Sequence, residues 1–155
     1  MKLRSIESAQ NGKMNKFAIP DEISHVTGAL EQAGFSAYLV GGCVRNLLLG
    51  EQPKDWDVTT SAKPEKIIKL FPKTFYENNF GTVTVVNENI LETEPDELRK
   101  SLRNIEITPF RLEGKYSDKR HPDSVKFSEK LEDDLLRRDF TINALAYHVS
   151  EEKLT

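Results

Sequence analysis

The sequence predicts a small mixed β-sheet with helices on its flanks, an α/β or α+β domain. Three observations carry this expectation. Short runs rich in β-branched and aromatic residues alternate with segments whose apolar residues recur at helical spacing. Glycines and prolines stand at the borders between those segments. The 155 residues suit one domain, and neither an internal repeat nor a low-complexity segment interrupts them.

Taken in order, residues 1–18 are polar and aperiodic and read as a loosely ordered tail, which leaves 19–155 as the folded domain. Pro20 and Asp21 open a helix with Ile23, Val26, Leu30 and Ala33 on one face, stopped by Gly34. Phe35 to Val40 is a buried strand bounded by Gly41-Gly42, and Val44 to Leu49 is a short helix ended by Gly50. Asp55 to Thr60 forms a second strand. Ser61, Lys63 and Pro64 lead into a helix through Ile67, Ile68 and Phe71, closed by Pro72. Two strands follow, near Phe75 and at Thr82–Val86. The polar stretch Asn87–Asn104 is either a short surface helix or an enlarged hairpin loop. Ile105–Leu112 is a further strand, in which Pro109 marks an edge, a bulge or the end of pairing. From Leu131 to Val149 the composition predicts two consecutive helices.

Composition narrows the function. The chain is 37% hydrophobic and carries a net charge of −3, so it lacks the basic balance of a protein that grips RNA along its whole face. A single cysteine, Cys43, excludes an internal disulfide and fits a reducing compartment. No apolar run is long enough to span a bilayer and the N-terminus is polar, so the expected setting is the cytoplasm, without a membrane partner. Oligomeric state has no signal in the sequence.

Asp55-Trp56-Asp57 places two carboxylates on one face of a strand, with Cα atoms roughly 6.5 Å apart. Such a pair can converge on a hard cation such as Mg²⁺; taken alone, it reads first as a solvated strand end. Upstream, Gly41-Gly42 between a strand and a helix allows close backbone approach to a ligand, and amides at a helix start favour phosphate. Arg45 can add a charge-assisted contact. Glu106 lies between Ile105 and Ile107 and points away from them. It would join the two aspartates if its strand pairs beside theirs; otherwise it is an exposed strand glutamate. Arg137 and Arg138 diverge by about 100° on a helix, so one faces a ligand while the other braces an acidic group. Asp139 can accept from a ribose hydroxyl, and Asn143 lies one turn further. The bland alternative is a charged helix start with Thr141 as a cap. Glu132, Asp133 and Asp134 read as a solvated face without a role. His25 and His148 have no metal-ligand partners at useful spacing, and His121 reads as ordering the loop KRHPDS, with contact to a ligand as the alternative.

The linked set resembles one family. LVGGCVRNLLLGEQPKDWDVTT is similar to the strand–Gly-Gly–helix–Asp-x-Asp motif of class II tRNA nucleotidyltransferases and the related bacterial poly(A) polymerases. FGTVTV, IEITPFR, RHPDSVKF and LLRRDFTINALAY match later blocks of the same head domain, so the resemblance covers residues 35–148. It implies a DNA polymerase beta-like nucleotidyltransferase fold. It further implies metal-binding carboxylates at Asp55 and Asp57, with Glu106 as the third catalytic acid. Gly41, Gly42 and Arg45 would hold the triphosphate, and Arg137, Arg138, Asp139 and Asn143 would contact phosphate and ribose or support the groups that do. The implied cofactor is Mg²⁺ in a two-ion site. The implied substrates are ATP and CTP with the 3′ end of tRNA, and the implied reaction is addition of CMP and AMP with release of pyrophosphate. A poly(A) polymerase head, or a nucleotide-binding module without transfer activity, are the alternatives. Two departures stand out. Asn46 occupies a position where the family usually has Asp, and the chain ends at Thr155, before the parts expected to read the base and hold the RNA.

Overall fold

The computed structural model describes residues 16–77, 80–112, 126–138 and 141–155. Helix α1 (Asp21–Gln32) begins with Asp21 and Glu22 in its first turn, where negative charge complements the helix dipole. Ile23, Val26 and Leu30 form its buried stripe, while Ala33 falls outside that stripe. The helix ends because Gly34 adopts φ +92°. That turn lets Phe35 N–H reach the Leu30 carbonyl at 3.1 Å and Gly34 N–H reach that of Glu31 at 2.9 Å.

Strand β1 (Ala37–Val40), helix α2 (Gly42–Leu48), strand β2 (Trp56–Thr60) and helix α3 (Pro64–Leu70) follow as expected. So do β3 (Thr74–Glu77) and β4 (Thr82–Val86). Asn87–Asn104 then carries a helix, α4 (Asp96–Arg103), rather than a plain loop. It is more than a surface helix, since Leu102 is buried and Leu98 packs on the core.

Strand β5 (Asn104–Pro109) is central, not an edge. Pro109 is tolerated because it is the last paired residue, opposite Thr60, and Phe110 N–H resumes bonding to the Thr60 carbonyl at 2.7 Å. The single strand expected to reach Leu112 is thereby broken. Its end, β6 (Arg111–Leu112), pairs instead with β7 (Lys126–Phe127) in a separate two-stranded sheet.

The two helices expected between Leu131 and Val149 are not both formed. Helix α5 (Leu131–Leu136) is followed by a 3-10 turn (Thr141–Asn143) and then by strands β8 (Ala146–His148) and β9 (Lys153–Leu154). Ala146 and Tyr147 pair with Val40 and Leu39. Without them β1 would be an open edge with a buried strand beside it.

The main sheet runs β3-β4-β5-β2-β1-β8-β9. Only β2 and β5 are parallel; every other neighbouring pair is antiparallel. One face is apolar: Leu39, Trp56, Val58, Val83, Val85, Ile105 and Ile107 form one core with α1 and α3. Strict alternation then sends Asp57 and Glu106 to the opposite face. Phe17 packs edge-on against Tyr147, with ring centroids 4.9 Å apart. No described helix is long and apolar enough to cross a membrane.

Candidate active site

Parallel pairing puts Asp57 directly opposite Glu106, and residues opposite each other on neighbouring strands share a face. Asp55 precedes β2 by one residue and is exposed. The Asp57 carboxyl is pushed up to about 6. Burial is the largest cause, followed by the negative charge of Glu106; Arg138 opposes the shift, and Asp55 adds to it. A hydrogen bond to Glu106 also favours the protonated form. A cation bound at the pair would relieve the repulsion that Glu106 exerts on Asp57.

Next to this pair the chain turns sharply. Gly41 has φ 73° and ψ −143°, a conformation open essentially to glycine alone. A Cβ at that position would stand 3.7 Å from both Asp57 Oδ2 and Arg138 Nη1, so the turn lies beside acid and guanidinium together. A Cβ on Gly42 would lie 3.2 Å from Arg45 Nη2. The Arg45 guanidinium donates to Asn46 Oδ1 through Nε and Nη2, both at 3.4 Å, and to Asn143 Oδ1 at 3.3 Å. Asn46 therefore keeps a hydrogen-bonded contact with Arg45 without the charge of an aspartate. Arg45 and Asn143, far apart in sequence, are joined across α2 and the 3-10 turn.

The arginine pair differs from expectation. Helix α5 ends at Leu136, so Arg137 is its C-cap and Arg138 lies beyond it. Both brace the same acid. Asp134, 0% exposed, accepts from Arg137 Nε at 3.1 Å and Nη2 at 3.0 Å on one oxygen. Its other oxygen accepts from Arg138 Nη2 at 3.1 Å, and the first also takes the Arg111 backbone N–H at 3.2 Å. Asp134 is thus no solvated residue. Sequence reasoning missed it although its spacing of three and four residues from the arginines is the signal that finds it. Asp139 and His121 lie outside the described residues.

Asp57, Glu106, Thr82, Thr108, Arg137 and Arg138 line one cleft of ≈ 240 Å³. Cys43 stays out of it: its buried thiol donates to the Val40 carbonyl at 3.1 Å and is pushed up to about 11 by burial. His148 ties β8 to α1 through Glu31, Nε2 to Oε1 3.1 Å, and His25 is exposed.

The family model described as the poly(A) polymerase head domain matches residues 37–155. This chain belongs to that family. The head domain is 46% identical over 118 residues to the CCA-adding enzyme of Geobacillus kaustophilus, covering 76% of this chain and 26% of that protein. It is 48% identical over 122 residues to the CCA-adding enzyme of Lactobacillus helveticus, covering 78% and 27%. The crystal structure of the Bacillus stearothermophilus CCA-adding enzyme in complex with CTP superposes with a TM-score of 0.66 at 37% identity. That alignment covers 84% of this chain and 28% of the other. The head domain therefore has the polymerase beta-like nucleotidyltransferase fold, and it spans about a quarter of the length of these relatives.

A nucleotidyltransferase family implies dependence on a divalent metal. The donors at this site suit a hard cation, being carboxylate oxygens alone. Among the described residues no three acidic, histidine or cysteine side chains already converge on one ion position. The fit rests on the Asp57–Glu106 pair with Asp55 beside it.

Proposed function

We propose that this head domain is the catalytic part of a template-independent RNA nucleotidyltransferase, adding CMP and AMP from CTP and ATP to the 3′ end of tRNA. The observation that carries the reading is the Asp57–Glu106 pair with Gly41 and Arg138 against it. Acids for a metal and a cation for phosphate meet there in one cleft. The likeness to CCA-adding enzymes supports the same conclusion.

Asp55, Asp57 and Glu106 would hold Mg²⁺, in a two-ion site. Bound there, the metal would supply Lewis-acid activation of the 3′-hydroxyl and neutralise charge on the triphosphate. Arg137 and Arg138 bind phosphate oxygens, and the backbone at Gly41-Gly42 permits close approach of the triphosphate. Arg45 and Asn143, held together, orient the nucleotide. Asp139, which follows the arginine pair in sequence, is assigned to the ribose. The bond from the RNA 3′-oxygen to the α-phosphorus forms as the bond to the pyrophosphate oxygen breaks. The hydroxyl proton passes to a carboxylate oxygen of the pair. The reading places the protein in the cytoplasm, where a lone thiol stays reduced.

The test is calorimetric titration with ATP and with CTP, with and without Mg²⁺, beside an Asp55→Asn/Asp57→Asn double variant. It is followed by transfer assays on tRNA lacking its terminal CCA. Mg²⁺-dependent binding that the variant loses, and CCA-completed product from the intact enzyme, are the expected results. Long homopolymeric A tails would assign the head to poly(A) synthesis instead. Nucleotide binding without product in the intact enzyme would reduce it to a binding module.

A further inference from the structure

The row that holds Asp57 and Glu106 continues beyond β5. Glu106 stands opposite Thr84 on β4, and Thr84 stands opposite Phe75 on β3. Partners in register present their side chains to one face, so a single line across four strands reads Asp57, Glu106, Thr84, Phe75. At the usual spacing of strands its two ends are about 14 Å apart. Phe75 is 62% exposed.

The two sides of the carboxylate pair are unlike. Toward β1, Gly41 lies beside both Asp57 and Arg138, and Tyr38 faces Phe110 with ring centroids 6.4 Å apart. The arginines share their cleft with Thr108 and Thr82, whose hydroxyls stand 3.3 Å apart one step along the same face. Toward β4 and β3 the row carries a small hydroxyl side chain and then a bare aromatic ring. Transfer of a nucleotide brings two substrates to the same carboxylates. The triphosphate belongs with the arginines, which leaves the Glu106 side for the strand that offers its 3′-hydroxyl.

We propose that Phe75 is a stacking platform for an unpaired base near the 3′ end of the acceptor RNA; this rests on the transferase reading above. An isolated exposed phenylalanine needs no explanation. Phe75 is set apart by its register with the catalytic acids and by the exposure, among the described residues, of Glu106 and in part of Thr84 between them. A ring at that distance meets a base set back from the terminal hydroxyl rather than the reacting nucleotide. Stacking on a phenyl face tolerates any base, which suits an acceptor end that grows between one addition and the next. The small Thr84 leaves room above the sheet for the sugar and phosphate that connect the stacked base to the hydroxyl.

The experiment compares the intact enzyme with its Phe75→Ala, Phe75→Trp and Asp57→Asn variants. RNA and nucleoside triphosphate are varied separately in steady state. Binding is followed without metal by the fluorescence of 2-aminopurine placed in turn at each of the last nucleotides of the RNA. Phe75→Ala is expected to raise the KM for RNA between about 5- and 100-fold. It should leave the KM for nucleotide and the Tm unchanged. Phe75→Trp should restore the RNA KM. Quenching of the probe should be seen with the wild type, the Trp variant and Asp57→Asn, and be lost with Phe75→Ala. An RNA KM and a quench that do not move in Phe75→Ala, in an enzyme that transfers normally, overturn the proposal and leave the transferase reading standing. A lowered Tm with an unmoved RNA KM overturns it too, and assigns the ring to packing against another part of the polypeptide. A quench that depends on Phe75 in an enzyme transferring no nucleotide supports the platform and sinks the transferase reading.

Discussion

Asp57 and Glu106 face the same side of the sheet from neighbouring parallel strands, each flanked in its own strand by buried apolar residues. They have little freedom to move apart, because the strands that carry them are buried on their other face. The cost of burying Asp57, and after it of holding it beside Glu106, is visible in its raised pKa.

That cost gives the first prediction. A carboxyl whose pKa is raised in the folded state, here from 3.8 to about 6, makes the fold bind more protons than the unfolded chain. Its contribution to stability therefore falls as pH rises through that window. Asp57→Asn should flatten the decline of Tm between those pH values and leave Tm at neutral pH equal or higher. It should also abolish metal-dependent transfer. Thermal unfolding across pH, beside the transfer assay, checks both; a variant less stable at neutral pH would contradict the repulsion described here.

Cation binding should titrate in the same window. A divalent ion at the pair competes with the proton on Asp57. Its apparent affinity should hold above about pH 6 and weaken roughly tenfold for each pH unit below, as expected when one proton is displaced. Mg²⁺ titrations at neutral and acidic pH provide the measurement.

Asp134→Ala should be among the most damaging single changes. It leaves two arginines without their buried partner, which typically costs about 3–5 kcal/mol. Asp134→Asn keeps an acceptor and should cost less. Urea unfolding gives the stability, and nucleotide affinity should fall most in Asp134→Ala, where Arg137 and Arg138 lose both acceptor oxygens.

Gly81→Ala tests a close approach at the edge of the cleft, between its lining residues Phe80 and Thr82. Gly81 has φ +71°, and a Cβ there would lie 2.7 Å from the Phe127 ring. Strain and displacement of the ring together should cost about 1–3 kcal/mol. An unchanged urea midpoint would show that β7 yields without resistance.

Leu102→Ala distinguishes a core helix from a surface one. Leu102 is fully buried, so its truncation should cost about 2–5 kcal/mol, measured by urea unfolding.

Much of this arrangement was legible in the sequence. Periodic Ile23, Val26 and Leu30 with Gly34 behind them announce α1, and Glu106 between two isoleucines announces which way it points. What no local pattern could tell was that β5 would lie beside β2, since pairing between distant strands depends on the whole sheet. Ala146 to His148 looked helical by composition, yet β1 needed a neighbour and took those residues as a strand; tertiary demand overrode propensity. Asp134 looked solvated because it sits in a run of acids. Its burial depends on β6 and on two arginines folding over it, which a charge count does not reveal.

Helix α4 ends in a clamp. Asn87 gives its backbone N–H to the Arg103 carbonyl at 2.8 Å and its side-chain amide to that of Leu102 at 2.7 Å. Val86 and Asn104 pair immediately beyond. The excursion between β4 and β5 thus leaves and re-enters the sheet at one point, as a tight hairpin does. Chain can be added or removed within it while Glu106 keeps its place opposite Asp57, because lengthening a closed loop adds only a slowly growing entropic cost. This corner of the domain can change in length without disturbing the chemistry a few residues away, provided Leu98 and Leu102 keep their packing on the core.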